Sequence, residues 1–164
     1  MNPKIRNLVY SAMMASLICV ATMLIKIPSP LKGYINLGDC FVLLSGWLLT
    51  PFYGFMAAGL GSMLADIFGG YPLYAPATFI IKGIMALTAR FLYSSKSKYP
   101  LASRTLSATV SELVMVAGYY VFEGILYGFY ASAVNIPFNL VQGFAGVVAG
   151  VLLIKVFEKN SIIH

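Results

Sequence analysis

The run CFVLLSGWLLTPFYGFMAAGLGSMLADIF, residues 40–68, decides how this chain folds. It is apolar almost throughout. As one helix it is about 43 Å long, against a hydrocarbon core near 30 Å. Thr50-Pro51 interrupts it, because proline lacks an amide hydrogen and clashes with the preceding helical turn. The run therefore reads as two short membrane helices joined at Pro51.

Working outward, a first span covers Ile5–Ile25 and stops at Lys26, before Pro28 and Pro30. The stretch Lys32-Gly-Tyr-Ile-Asn-Leu-Gly-Asp39 reads as a polar loop. Beyond residue 68, further spans lie at Tyr74–Leu92, Thr105–Tyr127 and Val134–Phe157, with a short basic connection at Ser94–Ser103. The expectation is an all-α polytopic membrane protein, one domain over residues 1–164, built as a bundle of six transmembrane helices. Lys4 and Arg6 ahead of an apolar run resemble a signal peptide, but no clear small-residue cleavage site follows, so a retained first span is expected.

Charge placement tests the division at Pro51. With six spans and the N-terminus inside, Lys4, Arg6, Arg90, Lys96, Lys98, Arg104, Lys155 and Lys159 are cytoplasmic. Only Lys26 and Lys32 face outward, in keeping with the positive-inside rule. Were residues 40–68 a single span, the basic cluster from Arg90 to Arg104 would face outward. Both termini are thus expected in the cytoplasm.

Composition agrees. Of 164 residues, 60% are hydrophobic and 10% charged, where soluble domains carry about 25% charged residues. The net charge of +6 does not indicate nucleic acid, because the basic residues sit at span ends and form no aromatic-interleaved patch. Cys19 and Cys40 show no metal-ligand spacing, and the lone histidine is the terminal His164. No metal site, disulfide framework or cofactor is expected.

Polar residues inside spans carry the functional signal, because an unpaired charge facing lipid costs several kcal/mol. Thr78 and Lys82 share a face of the fourth span. Glu112, Tyr119 and Glu123 share a face of the fifth, and Asn135, Asn139 and Gln142 a face of the sixth. Converging inward, these stripes make a chamber open to the outside, with Lys82 about 12 Å down and Glu112 deeper. Asn36, Asp39, Asp66, Tyr71 and Tyr74 join from the outer connections. Such donors, acceptors and aromatic faces suit a small polar ring compound. Lys82 has two readings, a ligand contact or a strut paired with Glu112 or Asp66. Asp39 reads as a loop-borne contact or as a helix cap, and Glu123 as a solvated rim residue. No Gly-x-Ser-x-Gly, HExxH or Walker A motif is present, so the chain is not expected to be an enzyme.

Small residues mark close helix contacts. Gly54, Ala58, Gly61 and Ala65 line span three, and Gly146 and Gly150 line span six. Ser11 with Ala15, and Ala12 with Ser16, offer two small faces on span one, near its cytoplasmic end.

Several runs, in this order, resemble the substrate-binding S component of energy-coupling factor (ECF) vitamin transporters over nearly the whole chain. They are Gly33-Tyr-Ile-Asn-Leu-Gly-Asp39, Pro51-Phe-Tyr-Gly54, Gly59-Leu-Gly-Ser-Met-Leu-Ala-Asp66, Tyr74-Ala-Pro-Ala-Thr78, Ile81-Lys-Gly83 and Asn135-Ile-Pro-Phe-Asn139-Leu-Val-Gln142. The resemblance implies a bacterial cytoplasmic-membrane protein that binds substrate under the loop between spans one and two. It implies a transmembrane coupling subunit and two ATP-binding-cassette ATPases as partners, with ATP used by those partners. It also implies docking of span one on the coupling subunit, through Ala12 and Ser16 or through Ser11 and Ala15. The S component of the family topples in the membrane to carry substrate inward. Within the family the runs look most like the hydroxymethylpyrimidine or vitamin B6 branch.

The expected substrate-binding residues are Asn36, Asp39, Tyr74, Thr78, Lys82, Glu112, Tyr119, Asn139 and Gln142, with Glu112 orienting Lys82. One alternative is riboflavin capture by the same architecture. Another is a small ion-coupled carrier or channel using Lys82 and Glu112 as a charge relay.

Overall fold

The structure, a computed structural model, describes residues 2–30, 33–94 and 98–159. Lys32, Lys96 and His164, and the side chain of Lys159, lie outside the described residues. Helix α1 spans Pro3–Leu24, opened by the Asn2 side chain, which accepts from the Lys4 amide at 3.0 Å. A short antiparallel hairpin follows, with β1 (Ile27–Pro28) paired to β2 (Tyr34–Ile35). Then come α2 (Asp39–Leu48), α3 (Pro51–Phe68), α4 (Ala75–Leu92) and α5 (Pro100–Tyr127). A four-residue helix α6 (Phe129–Ser132) and a 3-10 turn (Ala133–Asn135) lead into α7 (Ile136–Lys159).

The division at Pro51 is present. Leu49 and Thr50 are extended, and Pro51 occupies the first turn of α3, where its missing amide hydrogen costs nothing. Proline also opens α5, and this moves the helix start to Pro100 rather than the expected Thr105. The basic connection is correspondingly shorter. The α6 segment was not expected; Gly128, at φ +91°, makes the sharp turn that lets it fold back on α5.

Helix α2 is the hub. It packs on α1, α3, α4 and α7, and Val42, Leu43 and Leu44 are fully buried. Its ten residues make about 15 Å of helix, and it is apolar on nearly every side, as a helix surrounded by protein must be. Around it, α3 packs between α1 and α4, and α5 between α4 and α7. The α1–α3 contact is close because Gly61 has no side chain: a Cβ there lies 2.5 Å from the Ala15 carbonyl oxygen. Ala58 and Ala65 of the same helix are buried, and Gly150 sits against Leu43.

The exterior is apolar. Leu17, Val20, Ile80, Phe91, Leu113, Val121, Val141, Phe144 and Leu152 are all exposed. Water would not tolerate that surface, whereas lipid matches it. Helices α1, α4 and α5 and the stretch Phe129–Phe157 are long and apolar enough to cross a membrane. Helix α3 is 18 residues long, the same length as α4. The interior is where polar groups collect: Asp39, Asp66, Lys82, Glu112, Glu123, Asn135 and Gln142 are each at most 4% exposed.

Candidate functional site

One end of the bundle carries the chemistry. There α1, α3 and α5 finish and α2, α4 and α7 begin, away from both termini. The hairpin β1–β2 lies across it. The chain has five acidic residues; Asp39, Asp66 and Glu123 are buried toward this end, and Glu112 is buried midway along α5.

Lys82 is the centre. Its ammonium forms an ion pair with Asp39, at the first turn of α2, and lies 5.6 Å from the Tyr119 ring centroid. This corrects two expectations. Neither Glu112 nor Asp66 is the ion-pair partner of Lys82. Nor is Asp39 a cap: the residue at the cap position is Gly38, and no side chain caps the helix. Asp39 accepts from Lys82 through Oδ1 and from the Gln142 amide through Oδ2, the latter at 2.6 Å. Gln142 Oε1 in turn accepts from the Asn36 backbone amide at 3.0 Å. Asn36 Oδ1 accepts from the Gly38 amide at 2.9 Å. Four elements are thus tied by one chain of polar contacts: α4, α2, α7 and the segment after β2.

A second chain closes the hairpin. The Tyr34 hydroxyl donates to Asp66 Oδ1 at 2.5 Å. Burial and the neighbouring Asp66 push this phenol well above its ordinary pKa, so Tyr34 is a donor at every physiological pH. Its ring contacts that of Tyr71, centroids 4.8 Å apart, and the Lys26 ammonium lies 5.0 Å from the Tyr34 centroid. A third cluster joins α5 to the turn before α7. Glu123 Oε1 accepts from Asn135 at 2.8 Å and from the Tyr74 hydroxyl at 3.4 Å. Thr78 and Tyr119 share a hydrogen bond of 3.0 Å.

These groups surround a cavity. Of the expected site residues, Asn36, Tyr74, Thr78, Lys82, Tyr119, Asn139 and Gln142 line it. Asp39 stands behind Lys82. Glu112 does not line it: this carboxyl is pressed against Gly146, with Asp39 as a neighbouring acid. Tyr34, Asp66 and Glu123 line the wall but were not among the expected site residues. The void measures about 30 Å³, room for one or two water molecules, whereas sites for drug-sized ligands measure about 300–1,000 Å³. A ring ligand enters only if side chains or the hairpin move.

The two small faces of α1 separate. Ser11 is buried and donates to the Tyr53 carbonyl oxygen at 3.2 Å, and Ala15 packs on Gly61. That register is therefore internal, which corrects the expectation that it is a docking face. Ala12 and Ser16 are exposed.

Comparison with known proteins follows this geometry. Residues 2–159 match the model of a family described as the ECF-type riboflavin transporter, S component. An uncharacterised protein of Pyrococcus woesei is 36% identical over 145 residues, covering 87% of this chain and 95% of that one. The thiamine precursor transporter HmpT of Lactococcus lactis subsp. cremoris (strain MG1363) is 25% identical over 169 residues, covering 99% and 94%. Among solved structures, the S component of a bacterial ECF transporter superposes with a TM-score of 0.73 at 24% identity, covering 95% and 97% of the two chains. The S component for biotin from an ECF-type ABC transporter gives 0.53 at 21% identity, covering 94% and 93%.

Proposed function

The chain belongs to the ECF-type transporter S-component family, and from that premise we propose that it captures a small nitrogen heterocycle for import. The ligand class is a vitamin B6 compound, pyridoxine or pyridoxamine, or hydroxymethylpyrimidine. S components are integral membrane proteins, not enzymes, and work with a transmembrane coupling subunit and ATPase subunits. In this reading the cavity end faces outward, both termini are cytoplasmic, and six helices lie in the membrane. ATP is hydrolysed by two partner ATPases, and this chain needs no cofactor of its own. Ala12 and Ser16 form the face that meets the coupling subunit.

The observation that carries the substrate class is the cavity wall. Tyr71, Tyr74 and Tyr119 offer flat aromatic faces, and Lys82, Asn36, Asn139, Gln142 and Thr78 supply donors and acceptors at several angles. A six-membered ring with amino, hydroxyl or hydroxymethyl substituents matches that mixture. The HmpT relative, whose name records a thiamine precursor, supports the same class. Riboflavin is the second reading, favoured by the description of the matching family model. The 30 Å³ void argues for the smaller ligand, because a three-ring flavin needs far more displacement of the wall.

Calorimetry on the purified chain with pyridoxine, pyridoxamine, hydroxymethylpyrimidine and riboflavin tests this. One of the first three should bind tightest; riboflavin binding tightest would replace the substrate class. In vesicles the chain alone should bind without sustained transport. Continuous uptake by the chain alone would move it to the ion-coupled carriers.

A further inference from the structure

Glu123 has an oxygen with nothing to do. Glu123 is 2% exposed and is one of the residues that line the cavity. Oε1 is occupied by the Asn135 amide and the Tyr74 hydroxyl. Oε2 is buried and has no hydrogen-bond partner. Among the described residues the only ion pair is Lys82–Asp39, and none of the described lysines and arginines pairs with Glu123. A buried acceptor without a donor is costly, more so when it is charged, and a fold retains such a group where something else completes it.

The surroundings define what that is. Among the described residues the wall holds two carboxyl groups, Asp66 and Glu123, and one ammonium, Lys82, which Asp39 already engages. A further described ammonium, that of Lys26, lies over the Tyr34 and Tyr71 rings at 5.0 and 5.9 Å from their centroids. When ionised, Glu123 offers its free hydrogen-bonding capacity as an acceptor. Tyr74 borders this spot, and Gly33 of the hairpin packs beside Glu123 and Ser29. A flat ring against Tyr74 with an amino substituent directed at Oε2 completes the set, and a protonated amine does so most strongly.

We infer that Glu123 is a specificity-determining residue that selects amino-bearing ligands over their hydroxyl or oxo counterparts. This rests on the substrate class proposed above and narrows it to the aminated members: pyridoxamine rather than pyridoxine, and hydroxymethylpyrimidine rather than the analogue whose ring amino group is replaced by oxygen. A hydroxyl also donates one hydrogen bond, but it carries no positive charge and satisfies a carboxylate less well.

Two matched pairs test it by calorimetry on the purified full chain: pyridoxamine against pyridoxine, and the aminopyrimidine against its oxo analogue. The intact chain should prefer the aminated member of the pair it binds by about tenfold or more. Glu123→Gln places an amide nitrogen where Oε2 lies and should bring that ratio to about two or below. Thr109→Ala, on the exposed face of α5 and off the cavity wall, should leave the ratio unchanged. Thermal unfolding identifies any variant that has lost its fold, and the ratio in the intact chain tests the inference without a variant. Equal binding within a pair, or a preference that survives in folded Glu123→Gln, overturns the role of Glu123 while leaving the substrate class standing. Failure of both pairs alongside tight riboflavin binding overturns the substrate class, and this inference with it.

Discussion

Lys82 and Asp39 show how one side chain in this protein serves two ends. Each is buried and each holds the other, so removing one leaves a charge without a partner at a cost of about 3–5 kcal/mol. Lys82→Met should lower the thermal midpoint in detergent sharply, and Lys82→Met with Asp39→Asn should recover much of it. If the single and double variants unfold alike, the pair contributes nothing beyond packing. Ligand binding separates the second role: Lys82→Ala should weaken it about tenfold or more, equivalent to about 1.4 kcal/mol, in the fraction that stays folded. The inward position of Lys82 was legible because an ammonium cannot face lipid. Its partner was not, since 43 residues separate the two and helical periodicity carries no information about which helix lies opposite. Glu123 was read as a solvated rim residue because it sits near a span end. Only the coordinates bring Asn135, Tyr74 and the hairpin over it. Tyr34 lies in a connection, where no period exists to assign it a face.

At the scale of the helix, the sequence told most about where elements begin and least about which side they show. Proline and length place α1 to α5 and α7 within a few residues, because a helix in lipid must satisfy its own backbone and stops where it cannot. The short α6 and the 3-10 turn escaped notice, being shorter than any window that detects a period. The two registers of α1 were equally plausible on spacing alone, and close approach to Gly61 decides between them. Gly61→Ala should therefore destabilise by about 1–3 kcal/mol, read as a lower thermal midpoint, because the obstacle is the Ala15 backbone rather than a movable side chain. Ala12→Leu with Ser16→Leu should fold and bind ligand normally yet fail to co-purify with the coupling subunit. Unchanged assembly would remove α1 from that interface.

For the whole molecule, the distribution of charge defines an axis. Three of the five acidic residues, Asp39, Asp66 and Glu123, lie toward the hairpin end, while Lys4, Arg6, Arg90, Lys98, Arg104 and Lys155 lie toward the other. In a background of Cys19→Ala and Cys40→Ala, Leu73→Cys should react with a membrane-impermeant maleimide on intact cells. Ser94→Cys should react only after lysis. The reverse pattern inverts the proposed orientation. The same end holds a void of about 30 Å³, and that number has a kinetic meaning. A compound several times larger than the space cannot be captured by collision alone, since an internal rearrangement has to precede its seating or complete it. If the rearrangement comes first, the observed association rate stops rising with concentration and flattens at a ceiling set by the hairpin. Tyr34→Phe, which keeps the ring and drops the tether to Asp66, should raise that plateau.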